Sequence, residues 1–142
     1  MKATMLLCDY AEELGGKLYV MGGGWSRNYT PNQPSNMSLA IKIAVPWNEA
    51  NQLYGLTVRL VDENHETVRN PSDDREIGLE GKVEVGRPPG LKRGSNLDLA
   101  LAVRFDGLIL EPGTYIWELL IGNNVLESTV FDVIDRDALP ST

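Results

Sequence analysis

Hydrophobic and polar residues alternate along most of the chain, in one short run after another. A period of two places every second side chain on the same face of an extended strand, so each run predicts a half-buried β-strand. The runs span residues 4–10, 17–21, 39–45, 56–60, 79–85, 97–105, 115–121 and 125–133. Helical periodicity is almost absent, and residues 46–52 are predicted to form one short helical turn at most.

Turn-forming residues separate these runs. Gly15 and Gly16 join the first two strands, because glycine adopts the positive φ that a tight turn requires. Further turns are predicted at residues 62–66, 111–113 and 122–124, whereas residues 22–34 and 87–94 lack periodicity and are interpreted as long loops. The Pro-Gly turn before Tyr115 is typical of a late strand in immunoglobulin-like sandwiches, where a tyrosine hydroxyl holds a corner of the fold.

Strands at this spacing, without crossover helices between them, favour two packed antiparallel sheets. We therefore predict an all-β, antiparallel β-sandwich, immunoglobulin-like in general architecture. A β-barrel is the alternative. The 142 residues fit one domain, predicted over residues 1–135, and residues 136–142 are expected to form a frayed C-terminal tail.

Composition excludes several kinds of protein. Thirteen basic and 20 acidic residues give a net charge of −7, the wrong sign for a surface that neutralises nucleic-acid phosphates. No apolar run approaches the roughly 18–20 residues that span a bilayer, and the one near the N-terminus is too short for an export signal. The single Cys8 allows no internal disulfide and suits a reducing compartment. We expect a cytoplasmic protein that binds neither nucleic acid nor membranes.

The sequence contains no recognisable catalytic set. Its one histidine, His65, lies in a polar turn with Asp62, Glu63 and Glu66, which lacks the ligand spacing of a calcium loop. A metal-dependent hydrolase built on this turn is the alternative to a non-enzymatic protein. Cys8 alternates with apolar neighbours and is interpreted as a core residue. We expect no enzyme activity, metal or cofactor.

Two further stretches receive structural interpretations. The glycine run at residues 22–24 is followed by neither a Lys-Ser/Thr pair nor a helix, so we interpret it as a strand-ending bulge or a close backbone crossing instead of a phosphate loop. The charged sequence at residues 73–76 is interpreted as a solvated loop.

The two long loops carry the candidate binding residues. In the first loop, Trp25, Arg27 and Tyr29 either cap one end of the sandwich, which we prefer, or form a platform for a sugar, peptide or protein. A carbohydrate-binding sandwich using Trp25, Tyr29 and Trp47 is a further alternative. Trp117, which alternates with Tyr115 and Leu119, is predicted to lie in the core.

In the second loop, the cations Arg87, Lys92 and Arg93 either keep a loop tip solvated or bind an acidic partner, including an acidic patch on another copy of this chain. Small residues also line the polar faces of two strands, which suits close contact with another sheet or chain. They are Ala40, Ala44, Ala100 and Ala102. We expect a non-catalytic binding or structural module that associates with itself or with another protein.

Several motifs resemble those of a family of small uncharacterised bacterial proteins. They are Ala3-x-x-x-x-Cys8-Asp9-Tyr10-Ala11, the stretch Gly16-Lys17-Leu18-Tyr19-Val20-Met21-Gly22-Gly23-Gly24-Trp25, Leu39-Ala40-Ile41-Lys42, and Glu111-Pro112-Gly113-x-Tyr115-x-Trp117-Glu118-Leu119. The resemblance covers nearly the whole chain and implies a protein of the bacterial cytosol. It implies no catalytic residue.

Overall fold

The computed structural model describes residues 1–30 and 33–136 and is all-β. The 3-10 turn Trp47–Glu49 confirms the short helical turn predicted there. The strands of the described residues are β1 (Lys2–Leu14), β2 (Lys17–Gly23), β3 (Arg27–Thr30), β4 (Ser35–Val45), β5 (Leu53–Asp62), β6 (Arg69–Asn70), β7 (Arg75–Glu76), β8 (Gly78–Glu84), β9 (Leu97–Leu108), β10 (Gly113–Ile121) and β11 (Asn124–Asp135). Within this part of the chain, no helix has the length and apolar character needed to cross a bilayer.

The strands form two main sheets. The first has the order β2-β1-β4-β9 and is antiparallel throughout, and the second has the order β3-β11-β10-β5-β8. Among the strands that the structure describes, β3 alone runs parallel to its neighbour, pairing with residues 132–135 of β11. In the second sheet the order β11-β10-β5-β8 corresponds to strands G-F-C-C′ of an immunoglobulin-like sandwich, and β1-β4-β9 corresponds to A-B-E. The predicted β-sandwich is confirmed.

The core lies between the inner faces of the two sheets. Leu39, Ile41 and Ile43 of β4 are fully buried, as their alternation with polar or small residues predicts. Trp117 faces them from β10 with 0% exposure, and its ring stacks on Phe105 at a centroid distance of 4.4 Å. The prediction that Trp117 is a core residue is confirmed.

The corner before β10 has the predicted tyrosine contact. The hydroxyl of Tyr115 donates a hydrogen bond of 2.6 Å to the backbone carbonyl of Glu111. Burial raises the pKa of Tyr115, and the nearby carboxylates of Glu111 and Asp62 raise it further. The hydroxyl therefore keeps its proton as a donor at neutral pH.

Most predicted turns are present. Gly15 and Gly16 have φ values of +61° and +79° and close the β1–β2 hairpin. At the glycine run, the group nearest the place of a Cβ at Gly22 is the side-chain carboxylate of Asp9, and Gly23 pairs with Cys8 in the unbroken register of the hairpin. Neither the predicted bulge nor the predicted close backbone crossing is therefore present there. The charged loop at 73–76 is exposed, but Arg75 and Glu76 pair with residues 69–70 as a small ribbon.

One expectation needs correction, and another concerns a segment that the structure describes only in part. Residues 27–30, expected within an irregular loop, form β3. They pair with a parallel strand that is distant in the sequence, and such pairing leaves no pattern in the local sequence. In the expected tail, the guanidinium of Arg136 stacks on the ring of Tyr29, 4.4 Å from its centroid. Residues 137–142 lie outside the described residues.

Candidate interaction surface

The six predicted binding residues lie at opposite ends of the sandwich. Trp25, Arg27 and Tyr29 lie on or beside β3, which pairs with the end of β11, and that end of β11 pairs with the start of β10. This end of the sandwich is also the end at which β4 starts. Arg87 lies against Trp47, immediately beyond the end of β4. The structure therefore does not combine the two groups into one site.

At the first end, Trp25 closes the sandwich. It packs against the main core, and its ring meets Phe131 edge-on at 6.0 Å. The indole N–H is buried without a hydrogen-bond partner. These contacts are those that the capping interpretation expects of Trp25. Tyr29 is half-buried beneath Arg136, and Arg27 is exposed.

A polar cleft of about 520 Å³ lies beside Trp25 and is lined by Asp9, Arg27 and Asn28, among others. The Asn28 side chain donates a hydrogen bond of 2.7 Å to the Ser35 hydroxyl, so part of its capacity is already used by the fold. The cleft offers one carboxylate and one guanidinium to a small polar ligand.

At the second end, the guanidinium of Arg87 lies 4.6 Å from the centroid of the Trp47 ring and donates two hydrogen bonds, of 3.2 and 2.7 Å, to the Trp47 carbonyl. Arg87 thus fixes the start of the loop between β8 and β9. Trp47 therefore lies at the opposite end from Trp25 and Tyr29, and the structure does not bring the three rings of the carbohydrate alternative together. Lys92 and Arg93 are exposed further along the same loop.

A surface that the sequence did not single out is the projecting end of the β1–β2 hairpin. Strand β1 pairs with β4 only as far as Cys8, whereas its pairing with β2 continues to Leu14. Residues 9–14 therefore have β2 as their only paired neighbour among the described strands. We call residues 9–22 the arm.

One side of the arm bends over the outer face of the first sheet. Cys8 and Ala11 form a small second core with Ala40, and Leu18 and Ala102 pack against it. Ala40 and Ala102, expected to contact another sheet or chain, are thus covered by the chain's own arm. The Sγ–H of Cys8 donates a hydrogen bond of 3.4 Å to the Ser38 carbonyl. Burial, and to a lesser degree Asp9, raises the pKa of Cys8, in agreement with its predicted place in a core.

The other side of the arm is exposed and apolar. Cross-strand register places Tyr10, Glu12 and Leu14 opposite Met21, Tyr19 and Lys17, and side chains of such pairs share a face. We call these six residues the outer face of the arm. Leu14 and Met21 are 63% and 68% exposed. Arg104 covers part of the Tyr10 ring, at 5.5 Å from its centroid, which anchors the base of the arm.

This concentration of apolar surface stands out in the molecule. Of the eleven exposed large hydrophobic side chains among the described residues, six lie on β1 and β2. They are Leu6, Tyr10, Leu14, Tyr19, Val20 and Met21. A signal for the arm was present in the sequence: apolar residues occupy both alternating sets in 10–21, where a half-buried strand needs only one.

The residues of the metal alternative form an ordinary turn. One carboxylate oxygen of Asp62 accepts hydrogen bonds of 2.9 and 3.0 Å from the backbone N–H groups of Asn64 and Glu66. His65 occupies a position with φ of +61° in this turn. Among residues 1–30 and 33–136, no three His, Cys, Asp or Glu side chains are grouped in a way that would hold a metal ion.

Comparison with protein-family models gives a match over most of the chain. A family model described as a family of unknown function (DUF6941) matches residues 3–134, which is nearly the whole described chain. A search of curated proteins gives no match.

Proposed function

Because this chain belongs to the family of unknown function DUF6941, whose description names no activity, we propose a role from its surface: a non-catalytic binding or structural module that associates with copies of itself. The observation that supports this proposal is the outer face of the arm. It presents Leu14, Tyr19 and Met21 to solvent on a two-stranded projection.

Contact with another protein surface would stabilise such a projection. A two-stranded hairpin has little stability of its own in water, and an unpaired strand edge is a template for contact with another chain. Fully burying a Leu or Met side chain contributes about 1.5–3 kcal/mol. Burial of the three large apolar side chains on the outer face of the arm would therefore offset part of the cost of association. Contacts within the chain leave these side chains exposed.

The proposal also assigns the protein a cellular compartment and a non-enzymatic role. We assign the module to the bacterial cytosol, where a lone reduced cysteine such as the buried Cys8 is common. The polar groups around His65 serve the turn itself, which supports a non-catalytic role. The expected partners are proteins, first of all a second copy.

A matched pair of substitutions tests the role of the arm. Met21→Lys places a charge on the outer face, whereas Val130→Lys places the same charge at a similarly exposed apolar position on β11; the wild-type side chains are 68% and 49% exposed. We expect Met21→Lys to weaken self-association by at least about tenfold, since it replaces a central apolar contact by a charge. Val130→Lys should change the Kd by less than about twofold.

Sedimentation velocity over a concentration series measures both values, and thermal melting confirms that both variants fold. Equal Kd values for Met21→Lys and wild type would contradict the role of the arm. A loss of association in Val130→Lys alone would move the contact to the outer face of the second sheet.

A further inference from the structure

The two ends of the molecule carry opposite charges. The arm contains the carboxylates of Asp9, Glu12 and Glu13 and only one cation, Lys17. The loop of residues 86–96, which we call the basic loop, contains Arg87, Lys92 and Arg93 and no acidic residue. None of the ion pairs among the described residues uses Glu12, Lys92 or Arg93. Both charged groups therefore remain available to a partner.

The basic loop has a preformed shape with an apolar tip. The N–H of Leu91 donates to the carbonyl of Pro88 at 3.3 Å, and the N–H of Ser95 donates to the carbonyl of Lys92 at 3.1 Å. Gly90 and Gly94 supply the positive φ values, +84° and +89°, that these two consecutive turns require. The side chain of Leu91 is 39% exposed at the first turn.

This loop complements the outer face of the arm in two respects. Leu91 matches the exposed Leu14, Tyr19 and Met21, and the adjacent cations match Glu12, the carboxylate on that face. Glu13 lies on the other side of the arm, where it accepts a hydrogen bond from the N–H of Gly16. A loop fixed by its own turns loses little conformational entropy when it binds.

The two surfaces cannot meet within one molecule. The arm leaves the first sheet at Cys8, which pairs with Ser38 near the start of β4. The basic loop is fixed to Trp47, beyond the other end of that strand. Eight residues of β4, 38–45, separate the two places, which is about 25 Å of extended chain.

We propose that the basic loop of one copy docks on the outer face of the arm of the next copy, with Leu91 against the apolar side chains and Lys92 and Arg93 against Glu12. This contact rests on the proposed self-association and specifies its partner surface. Because the two surfaces differ, the contact is head-to-tail and leaves an unused arm and an unused loop at the ends of each pair, so copies add into a ring or an open chain. A two-fold contact between two arms is the alternative, and it would leave the basic loop unused.

Two variants separate a head-to-tail contact from a two-fold one. The loop variant carries Lys92→Glu and Arg93→Glu, and the arm variant carries Glu12→Lys and Met21→Lys. Each variant retains one intact surface. Lys82→Glu, at an exposed lysine on β8, makes the net charge more negative, as the loop variant does, and alters neither surface. Thermal melting shows that every variant folds.

Light scattering then measures mass for each variant and for an equimolar mixture. We expect each variant alone to remain at the 15.7 kDa of one chain, and the mixture to form a species of twice that mass and no larger. Addition of salt should weaken this mixed dimer several-fold, and Lys82→Glu should associate like wild type.

A mixture that stays monomeric, or a loop variant that associates as strongly as wild type, would overturn the head-to-tail contact. In the second case the arm still mediates association, and the proposed function survives. A wild-type protein that never associates would overturn both proposals.

Discussion

Replacing Trp117 by alanine is expected to lower the free energy of unfolding by about 3–5 kcal/mol, the range found when a buried aromatic side chain is removed from a core. Trp117 has 0% exposure, stacks on Phe105 and lies on the central strand of the second sheet, so its neighbours have little freedom to close the cavity. For a chain of this size the melting midpoint should fall by about 10–15 °C.

Urea denaturation followed by circular dichroism measures this loss, and Trp117→Phe is the control. The indole N–H of Trp117 is buried without a hydrogen-bond partner, so Trp117→Phe removes volume but leaves no polar group newly unsatisfied. It should cost less than half as much as the alanine variant. A loss below about 1 kcal/mol for Trp117→Ala would show that the two sheets do not pack around this ring.

The second large effect is expected at Trp25, which closes one end of the sandwich. Trp25→Ala should cost about 2–4 kcal/mol, somewhat less than a fully buried aromatic, because the ring is only partly buried while its edge contacts Phe131. Tyr29→Ala is the matched comparison in the same segment. It removes a ring whose described aromatic contact is with Arg136, and it should cost about 1 kcal/mol.

Chemical denaturation of the two variants separates capping from recognition. If Trp25→Ala were as stable as wild type, the ring would contribute nothing to the fold. The cleft beside it, with Asp9 and Arg27, would then become the leading candidate for a ligand site.

The features that sequence predicted well are those set by neighbours along the chain. Alternation placed Leu39, Ile41 and Ile43 on a buried face, because a period of two has a direct geometric consequence in a strand. The Gly15-Gly16 turn and the Tyr115 corner were predictable for a similar reason. Each depends on a few consecutive residues with special backbone or hydrogen-bonding properties.

The features that sequence missed depend on residues far apart in the chain. Strand β3 exists because Arg27 to Thr30 meet residues 132–135, about a hundred positions later. Trp25 and Arg87 are far apart because they lie at opposite ends of β4. The composition of their loops does not indicate at which end of the sandwich each loop lies. The small residues Ala40 and Ala102 were correctly interpreted as a close-contact surface, but the partner is the chain's own arm.

The candidate surface shows the same limit. The sequence alone indicated that Lys92 and Arg93 form a basic loop that could bind an acidic patch on another copy. It did not indicate which surface of the other copy the loop would contact. Only the register of β1 and β2 shows that Leu14, Tyr19 and Met21 share a face beyond the last contact with β4.

The most direct test of self-association is the mass of the wild-type chain in solution as a function of concentration. Static light scattering from low to high micromolar concentration should show a mass that begins near 15.7 kDa and rises through two and more copies, with the rise reduced in high salt. A mass that stays at that of one chain up to high micromolar concentration would contradict the central claim.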